Sequence, residues 1–184
     1  MADWNVLKTE FDRNSQTVFT YLQNEFQKIN SGRVNPNMFN QLRVDAYGEK
    51  TPLMQLANVQ AVDARQLLIK PYDRSLIKEV AKALAESEYH VNPQVNPDCI
   101  RIIFAPLTEE TRREAVKKAK EYYNQAVQKL RSVRQDVQAK YKKDPNVSDD
   151  DIRYFEDQLN KVTKEANKKL EDIFHNKEKD LMSL

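Results

Sequence analysis

Glycine is nearly absent from this sequence. Only Gly32 and Gly48 occur among the 184 residues. Dinucleotide-binding turns and P-loops need several glycines at fixed offsets, because the backbone must approach the phosphates closely there. The glycine count alone therefore nearly excludes both kinds of phosphate cradle.

Cysteine and histidine are almost as rare. Cys99 is the only cysteine, so the chain cannot form an internal disulfide, which fits a reducing compartment. His90 and His175 are the only histidines, and no group of Cys and His has metal-ligand spacing. No arrangement of serine, histidine and acid suggests a nucleophile with its base. We therefore predict a protein that is not an enzyme and that uses no metal or other cofactor. A metal site built from carboxylates alone is the alternative that these counts leave open.

Long hydrophobic runs are missing as well. The N-terminal residues mix acidic and basic side chains without an apolar core, so no signal peptide is evident. No apolar stretch approaches the roughly 20 residues that are needed to span a bilayer. These features predict a cytoplasmic protein without a membrane partner.

Helical periodicity dominates what is present. Apolar residues recur at helical spacings, mostly of three or four positions and sometimes of two turns, from Asp3 to Asn30, from Thr108 to Tyr141 and from Ile152 to Leu181. Thr108 and Ser148 stand where N-caps of the second and third helices belong. Burying one Leu-sized side chain contributes about 1.5–3 kcal/mol, so such long apolar stripes would be strongly disfavoured in water. We predict that the three helices pack as an elongated antiparallel bundle.

The middle of the chain has a different pattern. Short apolar runs typical of strands occur in "LRVDAYG", "NVQAV", "QLLIKPY" and "CIRIIF", and "DRSLIKEVAKALAES" has the spacing of one short helix. The predicted fold class is therefore α+β. Residues 1–31 and 107–184 would form a discontinuous three-helix bundle domain. Residues 32–106 would form an inserted small α+β domain, with a sheet, one helix and a hinge linker at each end.

The near-neutral net charge of +2 hides a strong asymmetry between the last two helices. The range 111–143 has eleven Lys or Arg residues and three acids, whereas 144–184 has seven Lys or Arg residues and eleven acids. At 100° per residue, six basic side chains of the second helix fall within a sector of roughly 100° beside its apolar stripe. This basic flank consists of Arg113, Lys117, Lys120, Arg131, Arg134 and Lys142.

Two interpretations of the basic flank follow from its charge. It could pair with the acidic third helix inside the bundle. Alternatively, it could face phosphates, for which the planar guanidinium of arginine is well suited. The arginines in "LRSVR", and the absence of acids from the sector after the first helical turn, favour the phosphate interpretation.

Several short motifs resemble the ribosome recycling factor family, and the resemblance extends over essentially the whole chain. In chain order they are "SGRVNP" (Ser31–Pro36), "YGEKTPLMQLANV" (Tyr47–Val59), "DAR" (Asp63–Arg65), "APLTEETRRE" (Ala105–Glu114) and "LRSVRQD" (Leu130–Asp136). The resemblance implies an L-shaped molecule with the bundle as the long arm and the α+β domain as the short arm. Gln135 departs from the family pattern, in which a third arginine often follows the pair. Pro97 stands where many members have glycine, so that turn must differ.

The resemblance also implies a function. The protein would bind the post-termination ribosome and, with elongation factor G and GTP, promote its dissociation into subunits for reuse. Contacts to large-subunit ribosomal RNA would be made by Arg33, Arg131 and Arg134, and the charge pattern adds Arg113, Lys117 and Lys120 to this RNA-binding set. It would act as a monomer. The alternatives are a coiled-coil-like helical adaptor that binds another protein, or a small enzyme in the α+β domain.

Overall fold

The computed structural model describes residues 3–183. The chain divides into two compact units. One unit comprises Met1–Phe26 and Val116–Leu184, and the other comprises Gln27–Ala115. The helices and strands, in chain order, are α1 (Trp4–Gln27), β1 (Arg43–Ala46), β2 (Glu49–Pro52), α2 (Leu53–Leu56), β3 (Ala57–Asp63), β4 (Gln66–Pro71), α3 (Ile77–Ala85), β5 (Pro93–Val95), β6 (Ile100–Ile103), α4 (Glu109–Lys143) and α5 (Asp149–Met182).

The helical unit is held by the apolar stripes of α1, α4 and α5. Leu22, Leu130 and Leu159 are at most 1% exposed. Each contributes about 1.5–3 kcal/mol relative to an exposed position. Contacts between the helices show their directions. Helix α1 contacts α4 through Tyr21 with Gln125 and Glu10 with Lys140. Helix α5 contacts α4 through Phe155 with Tyr141 and Phe174 with Tyr123, and it contacts α1 through Phe155 with Trp4. Helix α4 therefore runs antiparallel to both α1 and α5, which confirms the predicted antiparallel three-helix bundle.

The ends of the long helices follow the predicted capping chemistry. Ser148 forms a capping box with Asp151, in which each side chain bonds the backbone N–H of the other residue. Thr108 is the residue before α4 begins, and its hydroxyl accepts a hydrogen bond from the backbone N–H of Thr111 at 3.2 Å. Helix α1 ends at Gln27, three residues before the predicted end, and the side chain of Asn30 accepts a bond from the N–H of Gly32. These bonds satisfy backbone groups that the helix ends leave open.

The α+β unit contains a hairpin and a four-stranded sheet. Strands β1 and β2 pair antiparallel around Tyr47 and Gly48, which have φ of 53° and 83°. Two successive residues with positive φ are typical of the tight turn that matches strand twist. The larger sheet has the order β3-β4-β6-β5, with all neighbours antiparallel.

The core of this unit lies on one face of the larger sheet. Leu67, Ile69, Ile100 and Ile102 point to that face and are fully buried, while the residues between them are more exposed. Helix α3 closes the core with Ile77, Val80, Ala81 and Leu84. The α+β fold class is confirmed. Strand β5 and the short helix α2 were not predicted.

Pro97 lies in the turn between β5 and β6. The N–H of Asn96 donates to the carbonyl oxygen of Cys99 at 2.8 Å, which closes the turn around Pro97 and Asp98. Neither residue inside the turn has positive φ. The turn therefore accommodates a proline where a glycine-dependent turn would not.

Candidate nucleic-acid interface

The basic flank lies on α4 beside the face that packs into the bundle. Leu130 and Val137 of the packed face are buried. Arg131 is exposed, as are Lys117 and Lys120, whereas Arg134 is half-buried. Helical periodicity thus places the arginines next to the packed face, so their side chains project from backbone that the bundle holds in place.

Arg131 is the most accessible arginine of this flank. Its side chain makes no hydrogen bond or ion pair with any residue in the range 3–183. None of the positions three or four residues away is acidic, because they hold Val127, Gln128, Arg134 and Gln135. All five N–H donors of its guanidinium are therefore open to a ligand from solvent.

Lys117, like Arg131, is accessible to a ligand from solvent. It is exposed, and its ammonium has no hydrogen bond or ion-pair partner within the described part of the chain. An exposed lysine of this kind offers a mobile point charge to an anion and little geometric selectivity.

Arg134 contacts the third helix through a neutral group. Its Nη2 donates to Oδ1 of Asn160 at 2.8 Å. The amide holds the guanidinium without neutralising its charge, and several donors remain for another ligand.

Lys142, at the far end of the flank, is paired with an acid instead. Its Nζ lies 2.7 Å from Oε1 of Glu156 on α5. The hydrogen bond from Lys142 is the main cause of the lowered pKa of Glu156, with smaller contributions from Gln138 and Arg134. Pairing with the acidic third helix therefore describes Lys142 but not Arg131 or Lys117.

Lys120 contacts aromatic rings. Its Nζ lies 4.8 Å from the ring centroid of Tyr123 and 4.8 Å from that of Phe174. The two rings stack on each other at 5.0 Å. The pKa of Tyr123 is raised, first by burial and then by the charge of Glu171. Lys120 thus links α4 to α5 by a cation–π contact, a role that its charge alone did not indicate.

The remaining two predicted residues lie in the α+β unit. Arg113 pairs with Glu109 one turn earlier on α4 at 2.5 Å, and both side chains are at least 75% exposed. Such exposed pairs are weak and yield readily to a stronger anion. Arg33 is exposed, and the N–H of the next residue, Val34, donates to the carbonyl oxygen of Ala64 at 3.1 Å.

Sequence reasoning missed Asn160 and Phe174. Both lie on α5 and contact basic side chains of α4. Aligning the two helices antiparallel about the connection 144–148 brings α5 beside α4. It does not identify these two residues, because the register between the helices depends on packing that the helical period alone does not give.

Residues 3–183 include no helix that is long and apolar enough to cross a membrane. Over the same range, no three or more His, Cys, Asp and Glu side chains come together in a way that could hold a metal ion.

Comparison with known proteins yields a family. The sequence profile described as "Ribosome recycling factor" matches residues 22–182. The ribosome-recycling factor of Ureaplasma urealyticum is 41% identical over 182 residues, which cover 99% of this chain and all of that protein. That of Cutibacterium acnes is 37% identical over 167 residues, covering 89% of this chain and 91% of that protein.

Solved structures agree with the sequence comparison. A solution structure of the ribosome recycling factor matches all of this chain and all of its own, with a TM-score of 0.81 and 26% identity. A second match is described as models for the T. thermophilus ribosome recycling factor and the E. coli elongation factor G bound to the E. coli post-termination complex. It covers 99% of this chain and 100% of its own, with a TM-score of 0.64 and 28% identity. As its short motifs indicated, the chain belongs to the ribosome recycling factor family, whose members are translation factors in protein biosynthesis and not enzymes.

Proposed function

We propose that this protein binds large-subunit ribosomal RNA through the basic flank of α4 and, with elongation factor G and GTP, splits post-termination ribosomes into subunits. The observation that carries the RNA part is the state of Arg131. It is exposed, it has no acid within one helical turn, and it makes no hydrogen bond or ion pair within residues 3–183.

Phosphate is the ligand that this arrangement suits. A guanidinium can give two parallel hydrogen bonds to phosphate oxygens, and such charge-assisted bonds are roughly twice as strong as neutral ones. Lys117 adds a point charge on the same helix, and Arg33, Arg113, Lys120 and Arg134 complete the proposed RNA-binding set. Contacts of this kind would fix position on the RNA without reading its sequence.

The work of splitting is assigned to the partner. The chain has only two glycines and no glycine-rich phosphate-binding motif, which supports assigning GTP hydrolysis to elongation factor G. The relative that was described together with elongation factor G on a post-termination complex supports this partner. We place the action of the factor on the α+β domain, residues 32–106, with hinges at both of its ends. The proposed active form is a monomer working in the cytoplasm, where translating ribosomes are found.

Subunit splitting tests the whole proposal. Post-termination ribosomes are incubated with elongation factor G and GTP, with and without this protein, and dissociation is followed by light scattering. Stimulation that requires all three components is expected. Splitting that is no faster with the protein than without it would refute the proposed function.

Salt dependence distinguishes RNA binding from the adaptor alternative. Binding of the protein to purified large subunits should weaken steeply with salt, because each phosphate contact releases condensed counterions. Binding through apolar helix faces would change little over the same range. A flat salt profile would therefore favour a helical adaptor.

A further inference from the structure

Helix α5 is acidic overall, but its row of side chains opposite the centre of the basic flank has no acid. Side chains three or four residues apart share one side of a helix. This row therefore consists of Glu156, Asn160, Thr163, Asn167 and Glu171. The acids therefore stand only at the two ends. Between them the side chains are uncharged, and one of them, Asn160, contacts Arg134 of α4.

The two end acids are engaged elsewhere. Glu156 accepts from Lys142 at 2.7 Å and from the Gln138 amide at 3.4 Å. Glu171 lies 3.4 Å from Nε2 of His175 on its own helix. Neither forms an ion pair with Arg131 or Arg134 among the described residues. Within the described residues, therefore, no ion pair neutralises the guanidinium charges at the centre of the flank, and the charge of Arg134 makes only a minor contribution to the lowered pKa of Glu156.

Asn160 provides the direct contact to this centre. Its Oδ1 accepts a single hydrogen bond from Nη2 of Arg134, and the Asn160 side chain is otherwise exposed. An aspartate has almost the same shape as asparagine, but it would form a charge-assisted pair with Arg134. That pair would compete with a phosphate for the same donors.

We propose that Asn160 is a positioning residue for RNA binding: its neutral amide orients the Arg134 guanidinium towards phosphate while leaving its charge available. This inference rests on the proposed function of the basic flank. The inference adds Asn160 of α5, which lies outside the basic flank, as a residue that sets the affinity of the flank for a polyanion.

The substitution Asn160→Asp tests the proposal, with purified large ribosomal subunits as the probe. We expect about tenfold weaker binding, and a slope of log K against log salt that is smaller in magnitude by about one, because one phosphate contact is lost. Asn160→Gln keeps an amide oxygen and should restore binding to within about threefold of the wild type. Asn160 is exposed, so unchanged far-UV circular dichroism is expected for both variants.

Asn176→Asp is the matched control. It makes the same chemical change on α5 at an exposed position about 160° around the helix from Asn160. It should leave both the affinity and the salt slope unchanged. An equal loss with Asn176→Asp would assign the effect to net charge and overturn the positioning role.

A double variant tests whether Asn160 acts through Arg134. In an Arg134→Ala background, Asn160→Asp should cause almost no additional loss, because the oriented group is gone. A full additional loss would overturn the proposal, as would wild-type affinity and slope for Asn160→Asp alone. Salt-independent binding of the wild type would instead refute the proposed function itself, so the two failures are distinguishable.

Discussion

The Lys142 ammonium and the Glu156 carboxylate form an ion pair that joins α4 to α5, with Nζ and Oε1 2.7 Å apart. The hydrogen bond between them is the main cause of both pKa shifts, which raise the pKa of Lys142 and lower the pKa of Glu156. The pair lies near the connection between the two helices. It therefore supports the register that also brings Arg134 to Asn160.

This pair should make stability depend on acid pH. Because the folded pKa of Glu156 lies below its usual value of 4.5, the pair stabilises the fold above that value, and the stabilisation is lost as pH falls through the lowered pKa. Glu156→Gln should lower the melting temperature slightly at pH 7 and by less at pH 3, as followed by circular dichroism. The exposed Asp136 on α4 provides the control, and Asp136→Asn should behave as the wild type at both pH values. A difference for Glu156→Gln that persists undiminished at pH 3 would contradict the assignment.

Arg131→Ala should weaken binding to large subunits by about 1–3 kcal/mol, the value of a charge-assisted hydrogen bond. Thermal unfolding should stay at the wild-type temperature, because Arg131 makes no hydrogen bond or ion pair within residues 3–183. Affinity is measured by co-sedimentation across a salt series. Arg13→Ala removes an exposed arginine from α1 and should bind as the wild type does. Equal losses for both variants would indicate an effect of overall charge.

Leu159→Ala should destabilise the helical bundle by about 2–5 kcal/mol, because it opens a cavity at a fully buried position of α5. Urea unfolding followed by circular dichroism measures this change. Val6→Ala shortens a side chain that is 65% exposed on α1 and should stay within about 0.5 kcal/mol of the wild type. A mild effect of Leu159→Ala would mean that the bundle core can collapse around the lost side chain.

Gly48→Ala should destabilise the β1–β2 hairpin by about 1 kcal/mol. The cause is the backbone, since Gly48 has φ of 83° and an added Cβ would meet no atom within 4 Å. Faster amide hydrogen exchange in β1 and β2 is the expected readout. Glu49→Ala, at the neighbouring exposed position, is the control. If exchange is unchanged in Gly48→Ala, the turn has another conformation in solution.

Helices and caps were predictable because their causes are local in sequence. The apolar period that includes Leu130 and Val137 identifies α4, and Ser148 identifies the start of α5. The α+β fold class followed from the contrast between these long periods and the short apolar runs between them. Strand β5 was not predicted because Pro93–Val95 has too few residues to show an alternating pattern.

The candidate interface was predictable only in part. The periodicity of α4 placed Arg131 on an acid-free flank, and the structure leaves it accessible. The partners of Arg134 and Lys120 were not predictable, because Asn160 and Phe174 reach them through the packing register of two helices. RNA binding stays a prediction, which the binding experiments test, for six residues: Arg33, Arg113, Lys117, Lys120, Arg131 and Arg134.

The order of the elements along the chain has a consequence during synthesis. Helix α1 is made first, but α4, its antiparallel neighbour, begins only at Glu109. At about 5–20 residues per second, the ribosome needs roughly 4–16 s to make the residues between them. For that time the apolar stripe of α1, including Phe11 and Leu22, has no bundle to enter. The α4–α5 hairpin, joined by residues 144–148, can form as soon as it emerges. In the nascent chain, the apolar face of α1 must therefore stay out of aggregates until α4 and α5 are complete.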